Sequence, residues 1–237
     1  MLFRSNPADK AIPPKITRTA KRVLNNEQLD RFLGALKGDP IWHDFFYTEM
    51  TTGLRRGELC GLKWEDFDSK TGTLKVRRTI HAGKGEELTA GEPKTYAGTR
   101  TILLPYSTAQ FLQKRQESAL TEWIFPNPIK PEQPTNPGSA YRKLKQILKK
   151  AGLPGIRFHD LRHTFATHAL TSGVYAKTLS GILGHTKASF TLDTYTHVTG
   201  DMQRNAAGII GDFMTEILGE EMRPWQKSES EGTGAST

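Results

Sequence analysis

Apolar residues along this 237-residue chain recur at helical spacing through most of its length, and alternate in only one window, from Thr73 to Pro105. Helical stretches on both sides of one short alternating block predict a mainly helical α+β chain with a small three-stranded antiparallel sheet. Its strands are LKVRRTI, a polar segment ending in GEPKT, and RTILLP. They are joined by turns in HAGKGEE and YAGT, which puts Lys94 at a hairpin tip.

The flanking segments carry their own start and stop signals. Asn25 or Asn26 caps a helix with Leu29, Phe32, Leu33 and Leu36 on one face, and Asp39-Pro40 opens the aromatic helix IWHDFFYTEMTT. Further helices are read at 107–121, at 139–150 and at 201–218, the last with Ala206, Ile209, Ile210, Phe213 and Ile217 as its stripe. The 139–150 helix opposes Tyr141, Leu144, Ile147 and Leu148 to Arg142, Lys143, Lys145, Lys149 and Lys150. That basic face is either solvated or turned to a polyanion, and the net charge of +8 favours the polyanion.

Polar chemistry concentrates between Arg157 and Val198. His159 is expected just before a helix, with Asp160 as its N-cap and Arg162 in the first turn, so that both basic side chains lie beside free backbone N–H donors. A helix N-terminus and a guanidinium fork both suit phosphate. Gly184 is read as the residue ending the next helix, which leaves His185 at the pocket; Tyr195 follows in a short helix packed through Phe190 and Leu192. Upstream, Arg55 and Arg56 are adjacent, about 100° apart if helical, so one should face the pocket and the other solvent. Glu58 is a natural partner for a buried guanidinium.

The single cysteine, Cys60, excludes an internal disulfide and fits a reducing compartment, and no apolar run is long enough to span a membrane. The first 22 residues are polar, basic and Pro-rich, either a solvated linker or one that tracks a DNA backbone. The tail from Gln226 is expected to be disordered.

Arg55 in TGLRRGE, Lys94 in PKT, His159 and Arg162 in HDLRHTFAT, His185 in LGH and Tyr195 in DTYTHV together resemble, in order and context, the tyrosine recombinases of the phage-integrase family. The resemblance covers about residues 25 to 218 and is nearest to integrases of conjugative transposons. It implies a basic linker (1–22) from a missing N-terminal core-binding domain, a tyrosine-recombinase catalytic domain (23–220) and a disordered tail (221–237). It also implies double-stranded DNA attachment sites as partners, a homo-tetramer on DNA with the helix near 201–218 exchanged in trans, accessory excision or DNA-bending proteins, and a bacterial cytoplasmic, nucleoid-associated setting. No membrane, metal or cofactor is implied.

The chemistry can be argued beside the resemblance. Phosphodiester cleavage needs a nucleophile, stabilisation of charge on the non-bridging oxygens, and a proton for the leaving 5′-oxygen. Tyr195 is expected to attack and form a 3′-phosphotyrosyl link, conserving the bond energy so that no nucleotide cofactor is needed. Arg55 and Arg162 are expected to clamp the oxygens with a hydrogen bond from His185, while His159 accepts the phenol proton and Lys94 protonates the leaving group. Three rivals stand beside this reading. A zinc site using His159, His163, His168, His185 and His197 lacks the Glu of H-E-x-x-H and would sit among arginines that repel a cation. The others are a DNA-binding factor without catalysis, and a type IB topoisomerase, which would share the covalent adduct but not strand exchange.

Overall fold

A computed structural model describes residues 22–83, 87–93, 98–185, 191 and 206–212. The helices are α1 (Asn26–Ala35), α2 (Pro40–Thr52), α3 (Arg56–Cys60), α4 (Tyr106–Glu117), α5 (Pro137–Lys150), α6 (Phe158–Thr171) and α7 (Ala176–Leu183). The strands are β1 (Phe67–Asp68), β2 (Thr73–Val76), β3 (Thr79–Ala82), β4 (Leu88–Gly91) and β5 (Arg100–Leu103). Residues 206–212 are helical and exposed, Ile209 and Ile210 included. Among the described residues no helix is long and apolar enough to cross a membrane.

The chain's entry is tied down at once. Leu24 N–H donates to Thr164 Oγ1 (3.1 Å) and the Leu24 carbonyl accepts from His168 Nε2 (2.8 Å), so both backbone groups of one residue are fixed on α6. Asn25 then caps α1 reciprocally with Gln28, as its side chain predicts. Asp39 caps α2 with Pro40 at the first helical position. Phe45 and Phe46 of α2 meet Phe32, Phe125 and Phe158 at centroid distances of 5.2–6.3 Å, mostly edge to face. Each such pair adds about 0.5–1.5 kcal/mol beyond area burial, and the cluster fixes α2 against α1, α6 and the 123–125 segment.

The alternating window forms two sheets instead of one meander. Among the described residues β2 pairs with β1 on one side and β5 on the other, and β3 pairs with β4. A three-stranded antiparallel sheet is present, but LKVRRTI is split between the two sheets at Arg77 and Arg78. The cause lies in these arginines. Arg78 hydrogen-bonds Asp66 and donates to Glu65 Oε1 at 2.6 Å, and Arg77 Nε lies 3.7 Å from Asp66. Pairing these side chains with the 64–66 turn pulls the backbone out of a continuous ladder.

α6 joins two apolar clusters. Phe158 and Leu161 belong to the main core, while Ala166 and Leu170 pack with Leu179 and Leu183 of α7. α7 also lies against β5. α6 and α7 are thereby held beside α2 and α3, which carry the remaining polar residues of the site.

Candidate functional site

The C-terminal end of α7 leaves carbonyl groups with no helical partner, and three arginines from distant parts of the chain satisfy them in succession. Arg100 Nε donates to Ile182 O (2.6 Å), Arg162 Nη2 to Leu183 O (2.6 Å) and Arg55 Nη2 to Gly184 O (3.2 Å). Gly184 adopts the left-handed conformation at φ 65°, as its place in LGH predicts. Cations suit this end of a helix, so α7 acts as an electrostatic hub that gathers guanidinium groups.

Arg162 is 1% exposed, and its Nη1 donates to Gly53 O (2.8 Å). Gly53 is left-handed at φ 60°, and a Cβ there would stand 2.3 Å from Phe165 Cδ1. The TGLRRGE turn therefore needs glycine for both backbone conformation and room. Arg162 Nη2 is also 2.9 Å from His185 Nε2. A guanidinium only donates, so Nε2 is the acceptor and the His185 proton sits on Nδ1, which donates to Thr191 Oγ1 (2.8 Å). Burial first, then the charges of Arg162, Arg55 and Arg100, lowers the His185 pKa to about 4, so the ring is neutral near pH 7.

Arg55 is the N-cap of α3, in an extended conformation (φ −68°, ψ 145°). Its N–H and Nη1 donate to Glu58 Oε2 (2.9 Å) and Oε1 (2.7 Å), and Arg100 Nη2 donates to the same carboxylate (2.9 Å). Burial acts to raise the Glu58 pKa, but the hydrogen bond and charge of Arg100, with Arg55, reverse it and leave it below its ordinary value. Because Arg55 precedes the helix, the 100° separation expected of the pair does not hold. Arg55 and Arg56 line one cavity of about 360 Å³ together with His159, Arg162 and Glu49. The expectation that one of them faces solvent is corrected by this geometry.

His159 differs from expectation in a smaller way. α6 begins at Phe158, so His159 is inside its first turn, and Asp160 is the third helical residue instead of the cap. Asp160 Oδ2 accepts from the N–H of Arg157, the true N-cap (2.9 Å). His159 still opens on the cavity near Arg162, and its ring packs edge-on to the buried His163 at 4.5 Å. Crowding on its inner side, then the charges of Arg162 and Arg55, lowers its pKa, so it presents a neutral imidazole able to accept a proton.

Four of the six expected site residues, Arg55, His159, Arg162 and His185, thus converge. Lys94 and Tyr195 lie outside the described residues. Two participants escaped sequence reading. Arg100 left no local signal, because its role depends on β5 meeting α7. Glu49 falls four residues after Phe45 and three after Phe46, on the buried face of α2, a spacing that could have marked it as buried. Burial raises its pKa well above the carboxylate range, against the opposing charge of Arg162. The cluster Arg55, Arg56, Arg100 and Arg162 then faces one ionised carboxylate, Glu58, and carries a positive excess suited to an anion.

Several known proteins resemble this chain in sequence and fold. The tyrosine recombinase XerC-like protein of Caldanaerobacter subterraneus subsp. tengcongensis is 31% identical over 222 residues, covering 85% of this chain and 56% of that protein. The ICEBs1 integrase of Bacillus subtilis (strain 168) is 25% identical over 226 residues, covering 90% of this chain and 60% of its own length. The Tn1549 transposon integrase, solved in complex with a circular intermediate DNA, superposes with a TM-score of 0.70 at 25% identity over 83% of this chain and 68% of that one. The crystal structure of XerA recombinase shares the fold, with a TM-score of 0.63 over 84% of this chain and 66% of that one. The chain spans little more than half the length of the two relatives matched by sequence. The sequence pattern of the phage integrase family matches residues 22–201, which takes in α1 to α7, both sheets and every arginine at the α7 terminus: the chain belongs to the phage integrase family of tyrosine recombinases.

Proposed function

We propose that the chain is the catalytic part of a site-specific DNA recombinase that cuts and rejoins strands through a 3′-phosphotyrosyl intermediate, integrating and excising a mobile element. The observation that carries this reading is the shared cavity of Arg55, His159 and Arg162, whose nearby ionised carboxylate is already held by Arg55 and Arg100. Such a site gathers guanidinium charge around a space fit for one phosphodiester and sets a neutral imidazole beside it.

Arg55 and Arg162 clamp the non-bridging oxygens of the reacting phosphate. Their hydrogen bonds to backbone carbonyls and Glu58 fix the forks before DNA arrives, so no reorganisation is needed as charge develops. Tyr195 attacks phosphorus; its phenol proton passes to His159, the P–O5′ bond breaks, and Lys94 supplies the proton to the departing 5′-oxygen. A free 5′-hydroxyl from a partner strand reverses the step and completes exchange. His185, with Nε2 accepting from Arg162 and Nδ1–H directed to Thr191, acts in the DNA-free state by orienting Arg162. Donating to phosphate would require exchange of that contact when DNA enters.

The Tn1549 transposon integrase, a structural relative with bound DNA, supports double-stranded attachment-site DNA as the partner. In this reading residues 23–220 form the catalytic domain, entered through the basic linker 1–22 and followed by the tail 221–237. The helix near 201–218 docks on a neighbouring subunit in a DNA-bound tetramer, a reading that the exposed Ile209 and Ile210 support. Bacterial cytoplasm, at the nucleoid, with accessory excision or DNA-bending proteins, is the corresponding setting.

The test is incubation with a nicked duplex spanning the joined ends of the element that encodes the chain. A denaturation-resistant protein–DNA adduct, absent with Tyr195→Phe, is expected. Binding without an adduct would leave only a DNA-binding factor, and an adduct without strand exchange between two duplexes would leave a topoisomerase.

A further inference from the structure

Arg55 and Arg56 are neighbours whose side chains part company. Arg55 reaches toward the end of α7, whereas the Arg56 guanidinium carbon stands 5.9 Å from the Tyr141 ring of α5 and 6.0 Å from the Phe158 ring of α6. Arg55, Arg100 and Arg162 all donate to protein oxygens; Arg56 is half-buried and, among the described residues, has neither a carboxylate partner nor a hydrogen bond. Taking a guanidinium from water without a counter-ion is costly, and ring faces compensate only part of that cost while leaving its N–H donors unused. Those donors adjoin the 360 Å³ cavity.

A second observation points the same way. Glu49, at the wall of that cavity, is 0% exposed and neither of its carboxyl oxygens has a hydrogen-bond partner. Burial pushes its pKa up and disfavours its charged form, which makes it a poor counter-ion for Arg56. A second cavity of about 710 Å³, which shares Tyr141 and Arg157 with the first as lining residues, is edged by Lys145, Lys149 and Arg22. The Asp160 carboxylate there is hydrogen-bonded to Arg157. A track of positive charge therefore leads away from the Arg55–Arg162 pair through Arg56.

We propose that Arg56 is a second phosphate clamp, gripping a backbone phosphate beside the reacting one on the strand to be cut, with Tyr141 and Phe158 holding its guanidinium in place. The occupant is DNA backbone, because the track is positive along its length and its groups suit a run of phosphates. Arg56 positions the strand and takes no part in bond making. This rests on the recombinase reading above.

The experiment measures the rate of Tyr195 adduct formation on the nicked element-end duplex, carrying a neutral methylphosphonate at one backbone position at a time, with wild type, Arg56→Gln and Arg56→Lys. Wild type should slow about tenfold at one position beside the reacting phosphate, the scale of one charge-assisted hydrogen-bonded contact. Arg56→Gln should slow by a similar factor and be insensitive to that same substitution, with the slope of log affinity against log salt reduced by about 0.9. Arg56→Lys, which keeps the charge and loses the fork, should fall between, and it carries the test should Arg56→Gln fail to fold. A wild-type rate in Arg56→Gln, or losses that multiply at every position, would overturn the inference while leaving the recombinase reading intact. Failure of wild type to form any Tyr195-dependent adduct on unmodified DNA would overturn both.

Discussion

Arg162 Nη2 and His185 Nε2 stand 2.9 Å apart, while the two terminal nitrogens of Arg162 also donate to the carbonyls of Leu183 and Gly53. One buried guanidinium therefore ties α6 to the end of α7 and to the turn after α2. The side chain proposed to clamp the phosphate is therefore also a tertiary fastener, and loosening one should loosen the other.

Arg162→Lys is the direct probe of that coupling. An ammonium retains the charge but cannot reach Gly53 O, Leu183 O and His185 with a planar fork. Leaving a buried carbonyl unpaired costs about 1–3 kcal/mol, and a loss of that size is expected in urea unfolding together with loss of adduct formation. Unchanged stability would show that the three contacts do not fasten the fold.

Gly53→Ala should destabilise by about 2 kcal/mol or more, combining left-handed strain with overlap on Phe165. The two parts separate in the double variant: with Phe165→Ala added, the further cost of Gly53→Ala should shrink to the backbone part alone. An undiminished cost in that background would place the whole effect in the backbone.

Much of this architecture could be read from local signals, and the misses share one cause. Asn25, Asp39-Pro40 and Gly184 act at the helix ends where their side-chain chemistry puts them, and Gly184 leaves His185 at the site as its spacing implies. Arg162 was expected in the first turn, but it is the fifth residue of α6, and its contacts with Gly53, Leu183 and His185 set its place. What escaped was non-local. The split of LKVRRTI depends on Arg77 and Arg78 finding the 64–66 turn, and the role of Arg100 depends on β5 lying beside α7. The Arg55–Arg56 reading failed because α3 starts one residue later than a continuous helix would, which frees the first arginine from helical geometry. Lys94 and Tyr195 rest on the resemblance and lie outside the described residues.

Half-buried His185 and fully buried Glu49 should pull stability in opposite directions with pH. His185 has a folded pKa of about 4 against an ordinary 6.5, so the unfolded chain takes up its proton first and stability is lost as pH falls through that window. His185→Gln, which can still accept from Arg162, lacks this loss. The stability advantage of wild type over His185→Gln should therefore narrow between pH 6.5 and 4, measured by urea unfolding; a constant gap would mean the ring is not held neutral.

Glu49 works at the other limb. Its raised folded pKa means the folded chain keeps a proton that the unfolded chain releases above about pH 4.5, the ordinary glutamate value, so stability falls as pH rises toward the folded pKa. Arg162 opposes this shift and Glu58 adds to it, while the nearby Cys60 thiol, itself pushed up by burial, stays neutral. Glu49→Gln should gain on wild type as pH rises above the ordinary glutamate value of 4.5 in urea unfolding. A difference independent of pH would show that Glu49 is ionised in the fold.

The central claim is that Arg55 and Arg162 hold one phosphodiester for attack by Tyr195. A structure of the chain on a nicked element-end duplex measures it directly. The account predicts a single phosphate whose non-bridging oxygens lie about 3 Å from both guanidinium groups, with the Tyr195 oxygen, from the same subunit or its neighbour, in line with phosphorus. Arg55 and Arg162 bound to different phosphates, or a Tyr195 that reaches neither, would contradict it.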